Sequence, residues 1–232
     1  MTSTKSGGRI IGIMLLLQLV GFILPFALLH PLTASDYYST AAGYSFQIKA
    51  AVLLFFANGA LTIAIAVKAW PKFRRYSEPM AMWLIILSVV MLVLQAIDNV
   101  HILAMLSLSQ QYAEGGIPTE GVSALATVVR MTRRSAHYPE LFAIDIWIMM
   151  FQLIVLRFGL VPRALAALAI VTMVVHFCAI PLPGFLGYGI NTSFGVPMAF
   201  GLLSMAVWLM VKGFRDDGPH EDYNLHSTDK LK

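Results

Sequence analysis

Hydrophobic side chains fill nearly every position of six stretches, residues 10–29, 48–69, 80–108, 139–157, 163–182 and 193–213, and polar residues gather between them. A helix needs about 20 apolar residues to cross the hydrocarbon core of a bilayer, and each stretch is close to that length or longer. The pattern predicts an all-α polytopic membrane bundle with six transmembrane helices. The third stretch is the longest and is expected to tilt or to project beyond the interface. Pro25 and Pro197 lie within spans, where the missing N–H would kink a helix and free a carbonyl.

Residues 119–137, between the third and fourth spans, have a helical period of their own. Val122, Leu125, Ala126 and Val129 share one face, and Ser123, Thr127, Arg130, Arg134 and His137 share the other. This predicts an amphipathic helix in or near the outer interface, N-capped by Thr119, with Pro139 opening a separate fourth span.

Composition agrees with the pattern. The chain is 58% hydrophobic and 12% charged, where an average soluble domain has roughly 25% charged residues, and its mean hydropathy is +0.75. No polar linker divides the apolar blocks, so residues 1–214 read as one six-helix domain. Residues 215–232, with His220 and His226, read as a polar cytoplasmic tail. The first apolar run is longer than a signal-peptide core and reads as a span. The single cysteine, Cys178, excludes an internal disulfide and a cysteine-based zinc site and reads as a small core residue.

The net charge of +4 describes topology rather than nucleic-acid binding, because the basic residues cluster at span ends. With both termini cytoplasmic, the inner side would hold Lys5, Arg9, Lys68, Lys72, Arg74, Arg75, Arg157, Arg163, Lys212, Arg215, Lys230 and Lys232, twelve of the sixteen Lys and Arg. Lys49, Arg130, Arg133 and Arg134 are the exceptions. Arg130 and Arg134 admit two readings: contacts with lipid phosphates, or a cleft-facing pair that holds an anionic group.

Charge is almost absent from the spans except where Asp98, His101, His137, Glu140, Asp145 and His176 occur. Ionisable groups in a bilayer cost several kcal/mol and mark functional sites by default. At 1.5 Å per residue, Asp98 and His101 lie roughly 27 and 31 Å along the third span and His176 about 20 Å along the fifth. Counted from the opposite side, His137, Glu140 and Asp145 open the fourth, so all six are expected in the outer half. Gln95, Asp98, Asn99 and His101 form a polar arc, extended inward by Ser88, that should face protein or a water-filled cavity. Asp98 and His101, three residues apart, are expected to interact directly, and His137 and Glu140 repeat that spacing.

Several chemistries fit this set. A transition-metal site would use His101, His137 and His176 as ligands beside the carboxylates. Haem would need an axial pair such as His101 and His176. A metal-free proton relay or polar pocket would titrate Asp98 or Asp145. A structural reading lets the same groups tie helices together. In an enzyme, Asp98, Glu140 and Asp145 would be the acid/base candidates, and Gln95, Asn99, Arg130 and Arg134 would bind ligand. A proton-coupled transporter or permease and an accessory membrane subunit stand as alternatives. The expected partners are the bilayer and a lipid-like or hydrophobic small molecule.

The run Leu156-Arg157-Phe158-Gly159-Leu160-Val161-Pro162-Arg163-Ala164-Leu165 resembles a short inner loop of an uncharacterised bacterial multi-pass family, a domain of unknown function. Trp208-Leu209-Met210-Val211-Lys212-Gly213-Phe214 resembles that family's ending, and the likeness covers roughly residues 10–214. The resemblance implies a six-helix protein of the bacterial inner (plasma) membrane and no particular chemistry. The paired histidines of ceramidase-type intramembrane zinc hydrolases are missing.

Overall fold

The computed structural model describes residues 2–215, with side chains from residue 6 onward. Six long helices carry the fold: α1 (Thr2–Leu28), α2 (Ser45–Phe73), α3 (Glu78–Ala113), α4 (Val122–Arg157), α5 (Arg163–Ala179) and α6 (Gly195–Lys212). Short helical turns fill the α1–α2 connection, and Pro181–Phe185 forms another beyond α5. Among the described residues, six helical segments are long and apolar enough to cross a membrane. The exterior carries exposed Leu53, Val93, Val100, Leu168, Val171 and Phe200, a surface suited to lipid. This is a multi-pass membrane protein. The tail expected to be polar and cytoplasmic lies, apart from Arg215, outside the described residues, as do His220 and His226.

Each helix packs on its chain neighbours, and α6 returns to α1, so the six close into a ring. One end of this ring collects the basic ends of α2, α4 and α5. There the Phe73 ring packs at a tilt against Phe151 and Phe214, with centroids 5.6 Å apart in each pair. Gly159, at φ +63°, lets the chain leave α4 in a left-handed cap: Leu160 N–H bonds Val155 O at 3.0 Å and Gly159 N–H bonds Leu156 O at 3.2 Å. Arg215 N–H then bonds Leu160 O at 2.8 Å, joining the end of the bundle to the same turn.

Two departures from the pattern-based expectation concern α4. The segment expected as a separate amphipathic helix is helical but continuous with the fourth span, and Pro139 lies inside the helix. Its start is Gly121–Val122 with no side-chain cap, so Thr119 is not an N-cap. At 36 residues α4 is about 54 Å long, well beyond the roughly 30 Å hydrocarbon core. Its first half runs against α3 and the α1–α2 connection, burying Val122 and Ala126 while Leu125 stays exposed. Tyr37 Oη–H donates to Ala126 O at 3.1 Å across this contact. Pro139 lacks the N–H that would bond the carbonyl of Ser135, yet the helix runs on through it.

Pro197 has no comparable effect. It is the third residue of α6, among the first four positions whose N–H groups have no helical partner anyway. Cys178 is exposed rather than in the core.

Two apolar clusters fill the bundle. One includes Ile65, Met91, Ala143, Trp147 and Phe151, and the other includes Leu29, Tyr37, Phe55, Ile102 and Ala126. On α3 the boundary between them falls between Met91 and Ile102, and on α4 between Ala126 and Ala143. A buried polar layer lies at that boundary.

Candidate functional site

The layer follows from a repeat on α3. Ser88, Met91, Gln95, Asp98, Ile102, Met105 and Ser109 alternate steps of three and four, which keeps them on one helix face, and all are buried. Gln95 and Asp98 occupy this seam where the two apolar clusters meet, with Asn99 beside them.

Arg133, His137 and Glu140 answer from α4. Steps of four and three place them on one face of a continuous helix. His137 Nδ1 lies 3.0 Å from Glu140 Oε2 and 3.6 Å from Asp98 Oδ2. Arg133 Nη2 lies 3.4 Å from the same Asp98 oxygen. Gln95 Nε2–H donates to Glu140 Oε1 at 2.8 Å. The Phe26 ring of α1 meets the His137 ring edge-on, with centroids 5.9 Å apart. One donor atom each from Asp98, His137 and Glu140 falls within a group whose members are all within 4.8 Å of one another.

Asp98 and Glu140 are 1% and 2% exposed, so neither carboxylate meets bulk water. Asp98 Oδ1, Gln95 Oε1 and both amide atoms of Asn99 are buried without a protein partner. An unpaired buried polar group is costly. Four such atoms lie together on Gln95, Asp98 and Asn99 of α3.

A second ionisable pair is separate. His176 Nδ1 of α5 lies 2.9 Å from Asp145 Oδ2 of α4, both buried, within the apolar cluster around Trp147. Asp145 Oδ1 has no partner.

The remaining residues singled out by sequence go elsewhere. His101 does not meet Asp98. Its Nδ1 bonds its own helix at Ile97 O, 2.8 Å away. His101 and His176 each have another partner, and nothing brings them together as a haem pair. Arg130 does not face an anion cleft: its guanidinium donates to Ala34 O and Ser35 O and packs over the Tyr37 ring. Arg134 Nε–H donates to Tyr138 Oη at 3.1 Å. Arg133, by contrast, is in the cluster although sequence reasoning did not choose it. Its signal was the set of basic residues breaking the positive-inside bias together with its 133, 137, 140 spacing.

One imidazole and two carboxylates, desolvated and converging, can share a proton, be neutralised by Arg133, or ligate a cation. A tetrahedral ion with bonds of about 2.0–2.1 Å places its ligand atoms about 3.3 Å apart, and the 3.0 and 3.6 Å separations around His137 Nδ1 bracket that value.

A family model described as "Domain of unknown function (DUF4386)" matches residues 10–213, and the chain belongs to that family. No curated protein and no solved structure matches the chain. The family's description carries no activity over to it.

Proposed function

We propose that this member of the family is a bacterial inner-membrane protein that binds a divalent transition-metal ion at Asp98, His137 and Glu140, in the half of the bilayer toward the periplasm. The reading keeps residues 1–214 as one membrane domain with both termini cytoplasmic. The bias of Lys68, Lys72, Arg74, Arg75, Arg157 and Arg163 to one end of the bundle supports that orientation.

The observation that carries the metal reading is the mutual closeness of the three donor atoms. Two hard carboxylates and one imidazole suit zinc, iron(II) or manganese(II) better than haem or copper(I). The surroundings fit as well. Gln95 orients Glu140 and Arg133 orients Asp98, as outer groups do around metal ligands. A cation among these atoms would replace the proton that His137 Nδ1 shares with the carboxylates.

A bound ion would supply Lewis acidity and a more acidic bound water. Asn99 and Gln95 offer unpaired amide atoms to a polar headgroup. The substrate or ligand class that suits a site enclosed by apolar helices is lipid-like. Asp98 Oδ1, the carboxylate oxygen that neither Arg133 nor His137 approaches, would be free to hold a proton beside such an ion, and Asp145 with His176 forms a neighbouring helix-tying pair.

The Arg133–Asp98 contact favours a second reading in which the cluster is neutralised internally and works as a metal-free proton relay or interhelical tie. The test is a cobalt(II) titration of the untagged, detergent-purified chain followed by visible absorption. Metal binding predicts ligand-field bands saturating at about one ion per chain. They should vanish in Asp98→Asn and His137→Ala and persist in His101→Ala. A folded protein that gives no bands leaves the proton-coupled or structural reading.

A further inference from the structure

At the basic end of the bundle, away from this cluster, a cavity of about 520 Å³ opens between α1 and the last turns of α2. Its size falls within the roughly 300–1,000 Å³ of small-ligand sites. Lys68, Lys72 and Arg75 line it at steps of four and three, so their charges converge on one side. Lys68 and Arg75 are exposed, and among the described residues neither pairs with a carboxylate. Lys72 lies over the Tyr76 ring.

The other wall is apolar. Ile10 and Met14 of α1 face Ala64 and Val67 of α2, and Ile10 and Val67 are exposed on the lipid-facing surface. The cavity is therefore cationic at the membrane surface and apolar where it continues into the bilayer. The cavity is open beside Gly7, where a Cβ would meet nothing within 4 Å.

We propose that this cavity binds an anionic phospholipid, its phosphate held by Lys68, Lys72 and Arg75 and an acyl chain lying along Ile10, Met14, Ala64 and Val67. Charge complementarity selects an anionic headgroup over a zwitterionic one. The apolar wall selects a lipid over free phosphate, which would leave that wall uncovered. Basic pockets between helices at the cytoplasmic surface are a recurrent setting for such headgroups.

Native mass spectrometry of the full chain in detergent, with phosphatidylglycerol or phosphatidylcholine added, tests this. Phosphatidylglycerol should be retained preferentially. Lys68→Gln with Arg75→Gln should weaken its binding by roughly 25-fold, from about fivefold per cation. Arg157→Gln with Arg163→Gln, at the same end but outside the cavity, should leave it unchanged. Ala64→Phe, which fills the apolar wall and keeps every cation, should expel the lipid, and thermal melting confirms that each variant is folded. Equal retention of the two lipids would overturn the proposal, as would equal loss in the Arg157/Arg163 control. Displacement of the lipid by inorganic phosphate, or lipid retention in folded Ala64→Phe, would overturn it too, since the apolar wall would then play no part.

Discussion

Arg133 Nη2 stands 3.4 Å from Asp98 Oδ2, although Asp98 belongs to the buried seam of α3 and Arg133 to the half of α4 that extends toward the membrane surface. The contact depends on α4 staying helical through Pro139. It places a guanidinium beside a carboxylate that is 1% exposed, so removing either partner leaves the other poorly compensated.

Asp98→Asn should therefore destabilise the protein by about 1–3 kcal/mol, the usual cost of removing one partner of a charged buried hydrogen bond. Arg133→Gln should cost less, because its side chain is 19% exposed. The double variant should fall short of the sum. Equilibrium unfolding in mixed micelles measures all three.

Asp145 and His176 make a closed pair rather than part of the cluster. A double-mutant cycle with Asp145→Asn and His176→Ala should give a coupling of about 0.6–1.7 kcal/mol, the range for polar contacts between membrane helices. Neither variant should change metal binding at Asp98, His137 and Glu140.

Close approach of α1 to α6 rests on Gly12, where an added Cβ would lie 2.5 Å from Met210 N and 2.8 Å from Ala206 O. Backbone atoms cannot rotate away, so Gly12→Ala should cost about 1–3 kcal/mol through overpacking. Gly7→Ala, with open space at the same helix, should be neutral or slightly stabilising. Comparing the two melting temperatures isolates the packing effect from helix propensity.

Arg130 holds the chain between α1 and α2 through the carbonyls of Ala34 and Ser35. Arg130→Gln should weaken that hold by about 1 kcal/mol, seen as roughly fivefold faster amide exchange around residues 33–37. Metal binding should not change.

The fold was legible because hydrophobic length alone decides a spanning helix, and the buried arc on α3 was legible because Gln95, Asp98 and Asn99 interrupt an otherwise apolar face. The site was legible in part. Asp98, His137 and Glu140 were visible as ionisable residues in the wrong solvent. Arg133 was not, because reading Pro139 as a helix break severed its register with Glu140, and the wheel then grouped Arg130 and Arg134 with His137. His101 was overrated, since spacing of three permits contact with Asp98 but does not compel it when Ile97 O is nearer to hand. The Asp145–His176 pairing joins two helices across 31 residues, and spacing along one chain carries no information about which helices become neighbours.

The most direct test of the proposed metal centre is elemental analysis of the untagged, detergent-purified chain after equilibration with zinc, iron(II) or manganese(II) and removal of excess. About one ion per chain is expected, lost in His137→Ala and kept in His176→Ala. A wild-type protein that stays metal-free while folded, or one that loses its metal in His176→Ala but not in His137→Ala, would contradict it.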